Sequence, residues 1–303
     1  IRNDKGKPCD YRFVKVNPAY ENLTGLKSNE VFGSTVLAAH PEAETNWIER
    51  FGDVVSSGHP VTFEHFNHDL SRYFQVSAYR PQVEHLAFFL RDITERKQVE
   101  IYRDLGNEIL QILNESGPLR ESIRCILVLI KARTGFDAVG MRMRDGNDFP
   151  YFATTGFSSV FLAEESSLLP SGDAGAAGPN NKNEVRLECA CGMVVSDKTD
   201  SASSFSSAGG SFWINDISHL TDVPTCQRLR IHPRNACLRQ GYASVALVPV
   251  RMKEQIIGLL QLNDKRKGCF SLSVVKQLEG IAAHIGEALM RKRVEDELHE
   301  SNR

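Results

Sequence analysis

Residues 92–116, DITERKQVEIYRDLGNEILQILNES, constrain the fold of this chain more than any other stretch. Ile93, Val99 (or Ile101), Leu105, Ile109, Ile112 and Leu113 form one apolar stripe, and charges fill the other faces. That pattern predicts a long amphipathic helix lying between two cores rather than inside one. The length of 303 residues suits this division, because domains of ~150 residues are typical. Hydrophobic residues make up 41% and charged residues 24%, so each half has the apolar content to bury a core of its own. Two roles stay open for the helix: pairing with its own copy in a dimer or, for residues 105–113, packing on its own domain.

Charge narrows the choice of partners. Lys and Arg total 36 against 38 Asp and Glu, which argues against a chain built to coat nucleic acid or an anionic membrane. No apolar run approaches the ~20 residues that span a bilayer, and the N-terminus carries no signal-peptide pattern. The opening IRNDKGKP lacks Met and the last residues sit inside a helical pattern, so the expectation is a piece of a longer protein whose anchor, if any, lies elsewhere. Seven cysteines, Cys9, Cys125, Cys189, Cys191, Cys226, Cys237 and Cys269, are an odd number in a chain too large to need staples. Reduced thiols and a cytoplasmic location are expected.

In residues 1–94 short strand and helix patterns alternate. YRFVKVN (11–17) reads as a strand, and Asn17 caps PAYENLTG, with Pro18 at the first helical position and Gly25 as the stop. SNEVFG predicts a second short helix, from Ser28 to Gly33. Trp47, Phe51, Val54 and Val55 recur at helical spacing until Gly58 and Pro60. VTFEHF (61–66), YFQVSAY (73–79) and HLAFFLRD (85–92) then read as an antiparallel meander, giving one α+β sheet with helices on one side. FVKVNPAYENLTGL, EVFG and the trailing DITERKQVE together resemble a PAS sensory domain with its C-terminal junction motif, over residues 1–96 and without the usual first strand. The resemblance implies a site between sheet and helices for flavin, haem or a small metabolite, or a relay that dimerises and binds nothing. Trp47 would stack on a flavin-like ring there, or serve as a core aromatic. The light-sensing subgroup carries an Asn-Cys-Arg-Phe motif; here CDYRFVKV separates Cys9 from Arg12 and Phe13, so flavin–cysteine photochemistry is not implied. His40, His59, His65 and His68 are haem-ligand candidates by chemistry alone. Pro follows His40 and His59, and the EHFNHD pair fits an exposed strand-to-turn.

The second half opens with PLRESIRCILVLIKARTG (118–135), where Leu119, Ile123, Ile126, Leu127 and Ile130 share one face of a helix that also carries Cys125. FDAVGMRMRD alternates as a strand, and LAEESSLLPSGDAGAAGPNNKN reads as a loop or lid. YASVALVPVR (242–251) and QIIGLLQLND (255–264) read as strands joined by a Met-Lys-Glu turn, and a helix follows from about Ser271. This terminal hairpin and helix, with the two-helix start, resemble a GAF domain over roughly 103–295. ECACG, GGSFW and NACLRQGYASVALVPVR look like the GAF subgroup of bacterial and archaeal sensor histidine kinases. Cyclic-nucleotide-binding members carry Asn-Lys…Phe…Asp-Glu; Asn263, Lys265 and Phe270 are present, but VVKQLE replaces the acidic pair, so that pocket is not implied. The Cys-His pair that holds bilin in phytochromes is absent too.

Four of the seven cysteines fall between 189 and 237. Read as a strand, ECACG places Cys189 and Cys191 on one face with α-carbons about 6.6 Å apart, at the edge of disulfide reach. A metal tolerates that span better through two ~2.3 Å Zn–S bonds, and Gly192 lets the chain bend around it. Cys226 and Cys237 would complete four sulfurs, with His219 and His232 as alternative donors. Plain buried thiols, a metal or iron–sulfur cluster, haem held by Cys with an axial His, and a thiol redox switch all stay open. FSSAGGSFWIND (205–216) is a second candidate site. Gly209 and Gly210 let backbone N–H groups approach a ligand, Ser211 offers a hydroxyl and Trp213 a ring, suiting a small polar or anionic molecule. The alternative is a Gly-rich loop entering a strand. Arg228, Arg230, Arg234 and Arg239 are anion binders or a solvated face.

VVKQLEGIAAHIGEALMRKRVEDELHESNR repeats apolar residues at Leu278, Ile281, Ile285, Leu289, Val294 and Leu298 with no cap. His284 lacks the acidic-Arg-Thr-Pro context of a kinase phosphoacceptor. With no nucleotide-binding Gly-rich motif and no nucleophile–base pair, the chain itself is expected not to be an enzyme. The fold class expected is α+β: a PAS-like domain over 1–96, a connecting helix over 97–117, a GAF-like domain over 118–290 and the start of a signalling helix over 291–303. Its expected function is the input region of a two-component histidine kinase, homodimeric through helices 92–113 and 273–303. It would pass a ligand or redox signal to a kinase domain and its response regulator. A diguanylate cyclase or transcription-activator output, or a metal- or thiol-dependent redox enzyme, is the alternative.

Overall fold

The computed structural model describes residues 1–39, 45–67, 70, 72–115, 117–170, 187–224, 227 and 234–301, with the side chains of 45, 46, 221 and 293–301 excepted. His40, His68, Cys226, Arg228, Arg230, His232 and most of the Gly/Ala-rich stretch lie outside these residues, as do the side chains of Val294 and Leu298. The chain forms two compact units, residues 1–97 and 98–303. Both are α+β, with an antiparallel sheet flanked by helices.

The first unit holds helices α1 (Pro18–Thr24), α2 (Ser28–Val31), α3 (Val36–Ala39) and α4 (Thr45–Ser57), then strands β1 (Val61–Asn67), β2 (Arg72–Tyr79) and β3 (Ala87–Asp92). Asn17 caps α1 by accepting from the Tyr20 N–H at 2.9 Å, and Gly25 ends it at φ 78°, where a side chain is disfavoured. The sheet order is β1-β2-β3, with Val61 opposite Ala78 and Val76 opposite Leu90. Strand alternation therefore puts Phe63, His65, Phe74, Val76, Phe88 and Leu90 on the face where Phe51 and Val54 of α4 pack. The strand expected over 11–17 does not form. Arg12 makes one isolated bridge to Thr35, while Phe13 and Tyr11 exchange backbone hydrogen bonds with residues 33–36. Alternation identified which side chains turn inward; the turn after α2 lies closer in sequence than the sheet and takes the backbone bonds.

The boundary between the units falls inside helix α5 (Thr94–Asn114). The second unit continues with α6 (Leu119–Thr134), β4 (Ala138–Met143), β5 (Tyr151–Thr155), α7 (Ser159–Glu164), α8 (Cys189–Val195) and β6 (Phe212–Ile214). A 3-10 turn (Ile217–Asp222) follows, then α9 (Ala236–Arg239), β7 (Ser244–Met252), β8 (Gln255–Asp264) and α10 (Leu272–Ser301). Its sheet has the order β5-β4-β8-β7-β6, antiparallel throughout. Val139, Met141, Val248, Leu260 and Leu262 meet Leu105 and Ile109 of α5, Ile126 and Ile130 of α6, and Leu278, Ile281 and Ile285 of α10 in one core. Ile112 and Leu113 lie against the same core, so residues 105–113 of α5 pack on their own domain. Tyr102 joins them at 6% exposure, whereas Val99 of the expected stripe is 38% exposed. Among the described residues, no helix is long and apolar enough to cross a membrane.

Candidate functional site

Alternation along β4 and β8 decides what lies on the second face of the five-stranded sheet. Val139, Met141, Leu260 and Leu262 enter the helix-backed core, so Arg142, Gln261 and Asn263 project the other way. All three are buried. The Arg142 guanidinium lies 3.8 Å from the centre of the Tyr151 ring. Its Nη1 donates to the Phe149 carbonyl at 2.9 Å and its Nη2 to the Glu165 carbonyl at 2.7 Å, with the Glu165 carboxylate 3.6 Å away. Nε has no hydrogen-bond partner among the described residues. A charge taken out of water costs several kcal/mol unless paired and hydrogen-bonded, and these contacts offset that cost. Burial raises the Glu165 carboxyl above the usual range, against the pull of Arg142.

From Tyr151 a polar chain runs across the face. The Tyr151 hydroxyl donates to Gln261 Oε1 at 2.8 Å, Gln261 Nε2 donates to Asn263 Oδ1 at 3.0 Å, and Asn263 Nδ2 reaches Cys237 Sγ at 3.4 Å. Cys191 Sγ donates to the same Gln261 Oε1 at 3.8 Å, and Gln261 Nε2 lies 4.0 Å from Cys237 Sγ. Cys191 from α8 and Cys237 from α9 thus meet one Gln–Asn pair, and Cys189 opens α8 two residues before Cys191. Burial pushes all of them up: Cys189 above its ordinary value, Cys191 well above, and Cys237 to about 12. The thiols are neutral at pH 7.

ECACG is not a strand. It starts α8, and Cys189 stands at φ 64°, a left-handed conformation rare for a residue with a side chain. With Cys189 at that φ and Cys191 inside the helix, the extended geometry expected for the pair does not form. Tertiary packing overrides the strand reading, because Ala190, Met193, Val194 and Val195 bury together as a helix against the sheet. Gly192 does not curve around a ligand either: a Cβ there would strike the Leu187 backbone. Among the described residues no group of three or more His, Cys, Asp or Glu is disposed to hold a metal. His219 sits on the exposed 3-10 turn, its Nδ1 3.1 Å from Asp222, rather than in the interior with the thiols.

Gly209 and Gly210 form the turn before β6. The groups expected to meet a ligand there are already engaged. Ser207 and Ser211 both donate to Glu279 Oε1 of α10, the latter at 2.6 Å, and a Cβ on Gly209 would collide with that carboxylate. Trp213 is buried on the helix-backed face. This loop enters a strand and joins it to α10. Arg234 ties Glu188 at 2.7 Å and the carbonyls of Ser167 and Leu169 and is largely withdrawn from solvent, whereas Arg239 pairs with Glu164 at 2.7 Å on the exposed surface.

In the first unit Trp47 packs edge-on against Phe51, Phe63 and His65, the last at 4.9 Å between ring centres. His65 belongs to this interior rather than to an exposed turn, because Val61, Phe63 and His65 alternate onto the inner face. His59 is exposed. Tyr11, Phe13, Tyr20 and Phe88 extend the aromatic interior, and burial pushes the Tyr20 phenol up to about 12.

Sequence signals existed for part of this. Gln261 and Asn263 are polar at alternate positions of the apolar run QIIGLLQLND, and Arg142 interrupts AVGMRM. Such i, i+2 polar residues in buried strands mark one face as chemically distinct. Glu165 and Glu279 had no comparable signal.

The family model described as PAS fold matches residues 9–98. No curated protein matches the chain. The GAF domain of the Acinetobacter phosphoenolpyruvate-protein phosphotransferase is similar at 16% identity and TM-score 0.42, over 63% of this chain and 94% of that one. Free methionine-R-sulfoxide reductase from Neisseria meningitidis is similar at 13% identity and TM-score 0.46, over 65% and 92%. A domain described as belonging to a two-component sensor histidine kinase of Sinorhizobium meliloti is similar at 13% identity and TM-score 0.41, over 61% and 99%.

Proposed function

We propose that this chain is the sensory input region of a two-component signalling protein, a PAS-fold module followed by a GAF-like module, which senses and does not itself catalyse. The observation that supports this reading most is the course of α5. It starts at Thr94 in the first unit and ends with Leu105 and Ile109 fully buried in the core that also holds Leu278, Ile281 and Ile285 of α10. Arg291 Nη1 donates to Asn114 Oδ1 at 3.1 Å and Lys292 Nζ to the Gly117 carbonyl at 2.9 Å, fastening the end of α5 to α10. Close-packed helices change between discrete arrangements rather than deform smoothly, so a shift of α5 is passed to α10. The output on this reading is a kinase domain with its response regulator, acting as a homodimer through those faces of the helices at 92–113 and 273–303 that are turned away from this core. A diguanylate cyclase or transcription activator would use the same input.

The test joins residues 1–303 to a histidine-kinase catalytic core and follows autophosphorylation. Ile109→Ala, which loosens α5 against α10, is expected to change the phosphorylation rate several-fold while the chain stays folded. A monomer at every concentration in sedimentation, with an output indifferent to Ile109→Ala, would overturn the reading.

A further inference from the structure

We infer that Cys191 and Cys237 are a redox pair that a hydroperoxide converts to a reversible disulfide, which makes the polar face of the second sheet a thiol modification site. Its signalling meaning rests on the sensory reading above; the bond itself does not.

The pairing follows from side-chain contacts. Two helices far apart in the chain, α8 and α9, each lay one thiol on the same carboxamide. Cys191 Sγ donates to Gln261 Oε1 at 3.8 Å, and Gln261 Nε2 donates to Cys237 Sγ at 4.0 Å. Cys237 also packs against the apolar cluster that contains Cys191, Ala190 and Val194. Asn263 Nδ2 adds a second donor to Cys237 Sγ, at 3.4 Å. The two sulfurs are therefore not equivalent. Cys191 gives its proton to an oxygen and is buried, whereas Cys237 receives N–H groups from two amides and is partly exposed. Donors aimed at a sulfur favour its negative form, and partial exposure lets an oxidant arrive. Cys237 is the sulfur that meets the oxidant, and Cys191 is the one that resolves it. Closing the bond turns both sulfurs off the Gln261 amide and toward each other.

Cys237 loses its proton to solvent, and the thiolate attacks the outer oxygen of the hydroperoxide. The O–O bond breaks, the alkoxide or hydroxide leaves and takes up a proton, and Cys237 becomes a sulfenic acid. The Cys191 sulfur then attacks the Cys237 sulfur. The S–S bond forms as the S–O bond breaks, and the departing hydroxide leaves as water with the Cys191 proton. Two thiols lose two electrons in total, and the hydroperoxide is reduced to an alcohol, or to water when the oxidant is hydrogen peroxide. A small thiol reverses the bond by exchange. Burial keeps the Cys237 thiol protonated at rest, with Cys189 and Glu165 on the same side and Asn263 and Arg142 favouring the thiolate, so the first step is slow at neutral pH.

The test treats the reduced full chain with hydrogen peroxide at mildly alkaline pH, alkylates the remaining thiols and maps the peptides by mass spectrometry. A Cys191–Cys237 cross-linked peptide that disappears with dithiothreitol is expected. Cys191→Ala should abolish the cross-link and raise dimedone labelling of Cys237 several-fold, because the sulfenic acid then has no resolving partner. Cys237→Ser should abolish both the cross-link and that label. Cys189→Ser and Cys125→Ser should leave the cross-link intact, and circular dichroism on each variant, with Cys191→Ser and Cys237→Ala as second choices, checks folding. A bond from Cys237 to Cys189 or Cys226, oxidation confined to Cys9 and Cys125, or no disulfide at all would overturn the proposal. Such a failure removes the thiol site alone, since the sensory reading is judged by dimerisation and output.

Discussion

Leu260 and Leu262 on β8 point into the core with α10 at 0% exposure, while Gln261 and Asn263, their neighbours on the same strand, sit at 1% and 0% on the opposite face. At these positions both faces are equally dry, but the second face joins a polar patch to the apolar cluster of Phe212, Ile214, Val245, Leu247 and Leu259 under α8. On the helix-backed face cohesion comes from apolar area, at about 25 cal/mol per Å² removed from water. On the other face Arg142, Glu165, Tyr151, Gln261 and Asn263 make hydrogen bonds that only recover what burial cost them. A sheet needs one apolar face to hold together. Beyond its apolar cluster under α8, the second face carries groups that stability alone would not select, and Cys191 and Cys237 lie beside them.

The sharpest break of this comparison is Arg142→Met. It leaves the Glu165 carboxyl buried without its cation and should cost ~3–5 kcal/mol in urea unfolding. The double change Arg142→Met with Glu165→Leu should recover most of that loss. A double variant as unstable as the single one would mean that the pair is cohesive in its own right. Leu260→Ala on the apolar face should come next, at ~3 kcal/mol, and no second substitution should rescue it, because the loss is a cavity rather than an orphaned partner.

Gln261→Ala should cost ~1–3 kcal/mol by leaving the Tyr151 hydroxyl without its acceptor. Gln261→Leu combined with Tyr151→Phe should lie close to the wild type; thermal unfolding separates the two outcomes. The smallest effect is alkaline. Burial holds the Cys237 proton to about 12, whereas the unfolded chain releases it near 9. The folded state then binds more protons between those values. The contribution is present below pH 9 and lost as the pH rises toward 12. Cys237→Ser should flatten that limb of the stability profile, and Leu260→Ala should leave its slope unchanged.

Segments with strong periodicity are legible in the amino-acid order alone. The stripe in α6 predicts a helix whose Ile123, Ile126, Leu127 and Ile130 are indeed fully buried, and QIIGLLQLND matches β8 residue for residue. Segments whose partner sits far along the chain are not legible in this way. YRFVKVN alternates like a strand but bonds to the turn at 33–36, and ECACG forms a helix because the sheet surface behind it accepts Ala190 and Val194. The pocket expected at Gly209 and Ser211 fails for the same reason, since Glu279, whose carboxylate occupies those hydroxyls, lies on another helix.

Local periodicity and the turn residues determined by themselves that this chain is α+β with antiparallel sheets flanked by helices, because each helix or strand signal is carried by neighbours a few positions apart. Only the tertiary structure decided that Cys191 and Cys237 lie on one Gln–Asn pair, that Arg142 is buried against Tyr151 and Glu165, and that α5 shares a core with α10. Those contacts join residues far apart in the chain, and their energies depend on burial and mutual distance, quantities that exist only once the sheet has closed.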